Sequence, residues 1–156
     1  MTLLNRRTVV FMGVCMVLAV STHWFTVNIS PSVPYGLYRK MGSRQPLVHG
    51  DLVLGPAVPF GRSWLHAWLP WLKPIAGMPG DQVCVKPDGL WVHDAPYGAV
   101  YQTWRGQALP VFWGCHTVGS GEVFVASPQP KSLDGRYFGM TRVDATTLAV
   151  PIWTWE

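Results

Sequence analysis

Residues 8–38 hold no Asp, Glu, Lys or Arg. Within them Thr8–Val20 is strongly apolar, and Ser21–Val27 is milder, with His23 and Trp24. The combined run, residues 8–27, is about the length that spans a bilayer as a helix. Beyond it the pattern changes. Short apolar runs at 52–54, 82–85, 90–92, 122–126 and 148–150 are separated by Gly, Pro and Asp turns. That alternation predicts a mainly β fold, one compact β domain with long connections, preceded by a single N-terminal helix. Gly50-Asp51 and Gly80-Asp81 read as turns that open strands, and Asp88-Gly89 reads as a type I′ hairpin turn.

One segment departs from the β pattern. Over residues 62–72, Trp64, Leu65, Trp68, Leu69 and Leu72 recur at helical spacing, with Pro70 bending or ending the segment. Two readings stand: a short helix packed on the β domain, or an aromatic wedge resting in a membrane interface. Trp153 and Trp155 could extend the same surface.

Arg6 and Arg7 precede the apolar run, so the positive-inside tendency divides the chain into three. Residues 1–7 are expected in the cytoplasm, residues 8–27 as a transmembrane anchor in the inner membrane, and residues 28–156 as a periplasmic domain. A cleaved secretory signal fits the same segment, with its basic start and the small residues Ala19 and Ser21. The Trp24-Phe25 pair, an interfacial aromatic signature, favours a retained anchor.

Composition supports membrane contact. Charged residues make up 13% of the chain and hydrophobic ones 49%, where soluble domains carry about 25% charge. The net charge of +4 comes from scattered Lys and Arg, with no basic run beyond the pairs Arg6-Arg7 and Arg39-Lys40. The balance therefore fits anionic lipid headgroups at least as well as nucleic acid, and no nucleic-acid partner is expected. Cys84 and Cys115 would both lie on the oxidising side, where a disulfide is favoured over two free thiols. No cysteine has a His or Cys partner at ligand spacing, so neither a metal site nor a cofactor is expected.

The chemistry lies in two short segments. Ser30 and Ser32 stand just past the apolar run, in Asn28-Ile-Ser-Pro-Ser-Val-Pro-Tyr-Gly-Leu-Tyr38. Lys73 leads into the Gly/Pro turn of Lys73-Pro-Ile-Ala-Gly-Met-Pro-Gly-Asp81. Serine needs a base to become a nucleophile, and the five His residues form no recognisable triad arrangement. A lysine serves instead when burial lowers its pKa toward neutrality, and the apolar surroundings of Lys73 suit that.

Three boxes, running serine, lysine and C-terminal along the chain, resemble those of the type I signal peptidases. Lys73 with Gly77-Met-Pro-Gly-Asp81 is similar to their lysine box. Ser132-Leu-Asp134-Gly-Arg136-Tyr-Phe-Gly139 is similar to their C-terminal box. Asn28-x-Ser30-x-Ser32-x-Pro34-x-Gly36 resembles more specifically the conjugative-transfer branch, the TraF-type peptidases. The resemblance implies Ser32 as nucleophile, Lys73 as general base and Ser30 as an oxyanion donor with the Ser32 backbone N–H. It further implies that Ser132 orients the lysine amine, and that Asp134 supports the site, able to pair with Arg136. Three departures stand out: Pro74 where a basic residue often follows the lysine, Gly135 for a serine, which is expected to loosen that turn, and Pro31 between the two serines.

The resemblance implies a membrane-anchored serine endopeptidase acting on a membrane-tethered pilin precursor or a signal-peptide-bearing protein. In TraF-type relatives a substrate amine can replace water and close a cyclic pilin. The expected surroundings are the lipid bilayer and a conjugative or type IV secretion apparatus. The alternatives are a general signal peptidase, for which Ser-Met-x-Pro is missing, and a non-catalytic membrane-anchored assembly subunit.

Overall fold

The computed structural model of the protein describes residues 5–42, 46–57, 70–104 and 106–155. The apolar run forms helix α1 (Arg6–Trp24), 19 residues or roughly 28 Å at 1.5 Å per residue. The Asn5 side chain caps its start by accepting the Arg7 N–H. No α1 residue is buried, and Phe11, Met16 and Val17 are strongly exposed. The helix is long and apolar enough to cross a membrane. It stops three residues short of the end of the apolar run, because Phe25–Val27 are taken up by a strand. Lys40 Nζ donates to Thr22 O at 2.8 Å, satisfying a carbonyl that the helix end leaves open.

Thirteen strands follow among the described residues. In chain order they are β1 (Phe25–Asn28), β2 (Tyr35–Met41), β3 (Leu52–Gly55), β4 (Trp71–Gly77), β5 (Gln82–Lys86), β6 (Gly89–Val92) and β7 (Ala95–Gly98). Then come β8 (Thr103–Trp104), β9 (Gln107–Ala108), β10 (Gly114–Thr117), β11 (Glu122–Val125), β12 (Thr141–Arg142) and β13 (Thr147–Trp155). A one-turn helix, α2 (Gly135–Phe138), lies between β11 and β12. The main sheet runs β1-β2-β13-β3-β4-β11-β12, a second runs β10-β5-β6-β7, and β8–β9 is a separate ribbon. The fold is mainly β, as the turn-punctuated apolar runs predict.

Three apolar clusters fill the domain. Val83, Val85, Leu90, Phe124 and Ala126 knit the second sheet to the main one. Val53, Ile75, Val123 and Val125 pack among the central strands. Val33, Tyr38, Leu54, Leu72 and Ala149 hold the β1–β2 loop against β3 and β4. That last cluster matters most for function, since Val33 is the neighbour of Ser32.

Two local expectations need correction. The helical segment at 62–72 lies outside the described residues except at its end. There Trp71 and Leu72 begin β4, paired with Gly55 and Leu54. Backbone ladder bonds override helical spacing, as does the packing of the Trp71 ring over Gly55, where any Cβ would collide with the ring. The type I′ turn is also displaced. The β5–β6 loop is Pro87–Asp88, with Gly89 already in register with Lys86. The left-handed pair is His93 (φ 50°) and Asp94 (φ 59°), in the next hairpin between β6 and β7. Proline fixes a negative φ, so Pro87 cannot open a type I′ turn.

Cys84 and Cys115 are bridged, and they are register partners across β5 and β10. The bridge closes a segment with a sequence separation of 31, which in a chain-entropy account corresponds to about 3–4 kcal/mol of stability. Replacing both cysteines by serine is expected to remove about that much in denaturant unfolding of the detergent-solubilised chain. Activity at permissive temperature should survive, because the serine and lysine boxes lie on the other sheet.

Candidate active site

The β1–β2 loop is organised by one side chain. Asn28, buried at the end of β1, donates from Nδ2 toward Ser30 O (2.8 Å), Val33 O (2.9 Å) and Pro34 O (3.0 Å). Its Oδ1 accepts Ser30 N–H at 3.2 Å and Ser30 Oγ–H at 3.0 Å. Tyr38 Oη–H, from β2, donates to Pro34 O at 2.7 Å. The loop thus resembles an extended Asx turn, with its backbone carbonyls satisfied from inside. Ser30 and Ser32 come out on one side, their Oγ atoms 3.5 Å apart.

Lys73 reaches this loop from β4, where it pairs with Val53 of β3. It is 5% exposed. Its Nζ is in direct hydrogen-bond contact with Ser32 Oγ and donates to Ser132 Oγ at 2.9 Å. Burial pushes the ammonium pKa down to about 8, with the Asp134 carboxylate opposing and the Arg136 guanidinium reinforcing the shift. An amine in this position is substantially neutral at mildly alkaline pH. It can accept a proton from Ser32 without first being stripped of a salt-bridge partner.

Behind the lysine lies a buried ion pair. Asp134 and Arg136 have fully buried side chains and meet at 2.8 Å through Oδ2 and Nη2, and at 2.9 Å through Oδ1 and Nε. The remaining Arg136 donors go to backbone carbonyls: Ala99 O at 2.6 Å, Gln129 O at 3.4 Å, and Ser127 O in close contact. Asp134 Oδ2 also accepts the Ser127 N–H at 3.0 Å, and Oδ1 accepts the Arg136 N–H that opens α2. Every polar group of the pair is therefore matched, which is the condition for tolerating buried charge. Gly135 does not loosen this turn. It is buried, and a Cβ there would lie 2.7 Å from Val125 O and 2.8 Å from the Phe124 ring.

The structure thus brings Ser30, Ser32, Lys73 and Ser132 into one cluster, with Asp134 and Arg136 as the wall behind it. Cys84 and Cys115 stand apart, on the second sheet. Two contributors are not evident from the sequence. Asn28 stands in the serine box without an assigned role, although an Asn ahead of a Ser/Pro loop is a known source of local turns. Ser127 gives no signal at all. Fully buried, it donates from Oγ to Ser32 O at 2.6 Å and so joins the β11 end to the Ser32 backbone.

Removing one partner of the buried pair leaves a charge stranded and several carbonyls without a donor. Arg136→Met should therefore destabilise the domain by about 3–5 kcal/mol in urea unfolding. Ser127→Ala loses two hydrogen bonds, the one donated to Ser32 O and the one accepted from the Gln129 N–H, and should cost about 1–3 kcal/mol, while lowering turnover more than substrate affinity.

Known proteins match most of this chain. Residues 3–153 match the family described as signal peptidase, peptidase S26. The chain is 30% identical over 152 residues to the conjugal transfer protein TraF of Agrobacterium fabrum, covering 85% of this chain and 84% of that protein. A crystal structure of a signal peptidase I from Enterococcus faecalis aligns with a TM-score of 0.44 at 17% identity, over 68% of this chain and 97% of that one. A family match across nearly the whole chain, with a relative of similar length, leaves one conclusion: the chain belongs to the S26 signal peptidases, a family of serine peptidases.

Proposed function

We propose that the protein is a membrane-anchored endopeptidase in which Ser32 is the nucleophile and Lys73 the general base. The observation that carries this reading is the buried Lys73 amine in contact with both Ser32 Oγ and Ser132 Oγ. When Lys73 is neutral, Ser32 Oγ–H donates to Nζ, and Oγ attacks the scissile carbonyl as the proton passes to the amine. The Ser30 hydroxyl turns from Asn28 Oδ1 toward the developing oxyanion, alongside the backbone N–H of Ser32. Collapse of that intermediate expels the leaving amine, which takes its proton from the Lys73 ammonium. Ser132 keeps Nζ aimed throughout. Water then resolves the acyl-enzyme with Lys73 again acting as base.

In the same reading residues 1–7 stay in the cytoplasm, and α1 with its following residues, the 8–27 run, anchors the chain in the inner membrane. The domain from residue 28 then works in the periplasm, with the nucleophile at bilayer height. Lys40 ties the helix end to the sheet by its hydrogen bond to Thr22 O. A tether on both enzyme and substrate raises their effective concentration.

The likeness to a conjugal transfer protein supports a substrate in conjugation, a membrane-tethered pilin precursor, within a conjugative secretion apparatus. Attack by the substrate's own amine on the acyl-enzyme would give a cyclic product. Its mass is one water below that of the linear trimmed peptide.

Co-expression with a candidate pilin precursor and mass spectrometry of the product tests this. Ser32→Ala and Lys73→Ala should each lower processing by at least about 10³-fold while leaving the chain folded. Retained processing in either variant overturns the dyad. The linear mass excludes cyclisation, and dependence of general exported proteins on this chain favours a general signal peptidase. Loss of neither substrate leaves an assembly subunit.

A pH profile gives a second check. The Lys73 pKa is lowered in the fold to about 8, so the active neutral form is lost as pH falls through that value. With a peptide substrate, kcat/KM should rise about tenfold per unit below pH 8 and flatten above it.

A further inference from the structure

We propose that His49, Asp81 and His93 form a binding site for a divalent metal ion of the zinc type, separate from the serine–lysine cluster. His49 Nε2 lies 2.5 Å from Asp81 Oδ2, and His93 Nε2 lies 3.0 Å from Asp81 Oδ1. The two imidazoles converge on opposite oxygens of one carboxylate, and all three ligand atoms lie within 4.8 Å of one another. Ligand atoms around a tetrahedral zinc ion, at bond lengths of about 2.0–2.2 Å, stand about 3.4 Å apart. Inserting an ion therefore needs only small side-chain shifts.

The three residues come from turns far apart in sequence, which is why ligand spacing along the chain does not reveal them. Each turn is tied down independently. The His49 turn is closed by Val48 N–H to Asp51 Oδ2 at 2.9 Å and joined to β4 by Gly50 N–H to Ile75 O at 2.9 Å. Asp81 is fixed by Met78 N–H to its Oδ2 at 2.6 Å and by its own N–H to Met78 O at 2.9 Å. His93 sits in the left-handed β6–β7 turn, its N–H bound to Gln82 O at 3.2 Å. Such preorganisation spares an ion the cost of ordering its ligands.

The donor set selects the ion. Two imidazoles and one carboxylate suit zinc and its neighbours in the first transition row, while magnesium and calcium prefer oxygen ligands. An imidazole that carries its proton on Nδ1 offers the Nε2 lone pair to the ion. The imidazole side chains are 53% and 57% exposed and Asp81 is 13% exposed, so water can complete the coordination sphere. The ion would clamp together the turns before β3, after β4 and after β6.

Zinc chloride alone, titrated into the full-length detergent-solubilised chain without a histidine tag, tests the proposal. Calorimetry should show one ion per chain, and zinc but not magnesium should raise Tm, since an ion that binds only the folded state stabilises it. His49→Ala and His93→Ala should each weaken zinc binding by at least about tenfold. The double variant should lose the rise in Tm while keeping the wild-type Tm in EDTA. His116→Ala should leave zinc binding unchanged. The absence of stoichiometric zinc binding, or wild-type affinity in the double variant, overturns the site and marks the three residues as a hydrogen-bonded surface cluster only. Neither result bears on Ser32 and Lys73.

Discussion

Keeping the Lys73 amine out of water is costly, and the rest of the site is built around that cost. A lysine on a solvated surface stays protonated and is useless as a base near neutral pH. At 5% exposure, with a pKa brought down to about 8, Lys73 has the properties that the proposed mechanism asks of a base near neutral pH and just above it. Its contacts are hydroxyls, Ser32 and Ser132, rather than a carboxylate that would lock the ammonium form. The nearest strong charges, Asp134 and Arg136, belong to one neutralised pair, so their effects on the amine largely oppose each other.

The scaffold transmits that constraint outward. Arg136 holds the backbone at Ala99, Ser127 and Gln129, Asp134 holds Ser127 N–H, and Ser127 in turn holds the carbonyl of Ser32. The serine loop is thus gripped from two directions, by Asn28 within it and by the β11 extension outside it. Val33 pins the same loop into the cluster with Leu54 and Leu72. A loop that is otherwise exposed at the start of the domain acquires the rigidity that positioning of a nucleophile needs.

Much of this is legible in the chain without coordinates. The apolar runs at 52–54, 82–85, 90–92, 122–126 and 148–150 each seed a strand, because flanking Gly, Pro and Asp leave them few alternatives. Less legible is β4, whose Lys-Pro pair hides a strand buried on both faces, where alternation disappears. The terminal Pro151–Trp155 stretch joins β13 although it is exposed, since its pairing with β2 rather than its burial keeps it extended. The serines and the lysine are visible because they sit in short local boxes. Ser127 is not, since its role depends on a contact 95 residues away in sequence.

Catalysis by this route requires Lys73 to be a neutral, buried amine within reach of Ser32, and that state can be measured directly. The chain has only four lysines, Lys40, Lys73, Lys86 and Lys131. Labelling them with carbon-13 at Cε and tracking their NMR shifts with pH, with Lys73→Met for assignment, reads each ammonium separately. One lysine signal should titrate near pH 8 and vanish in Lys73→Met. Titration of the Lys73 signal near the ordinary lysine value of about 10.4 would contradict its role as the base.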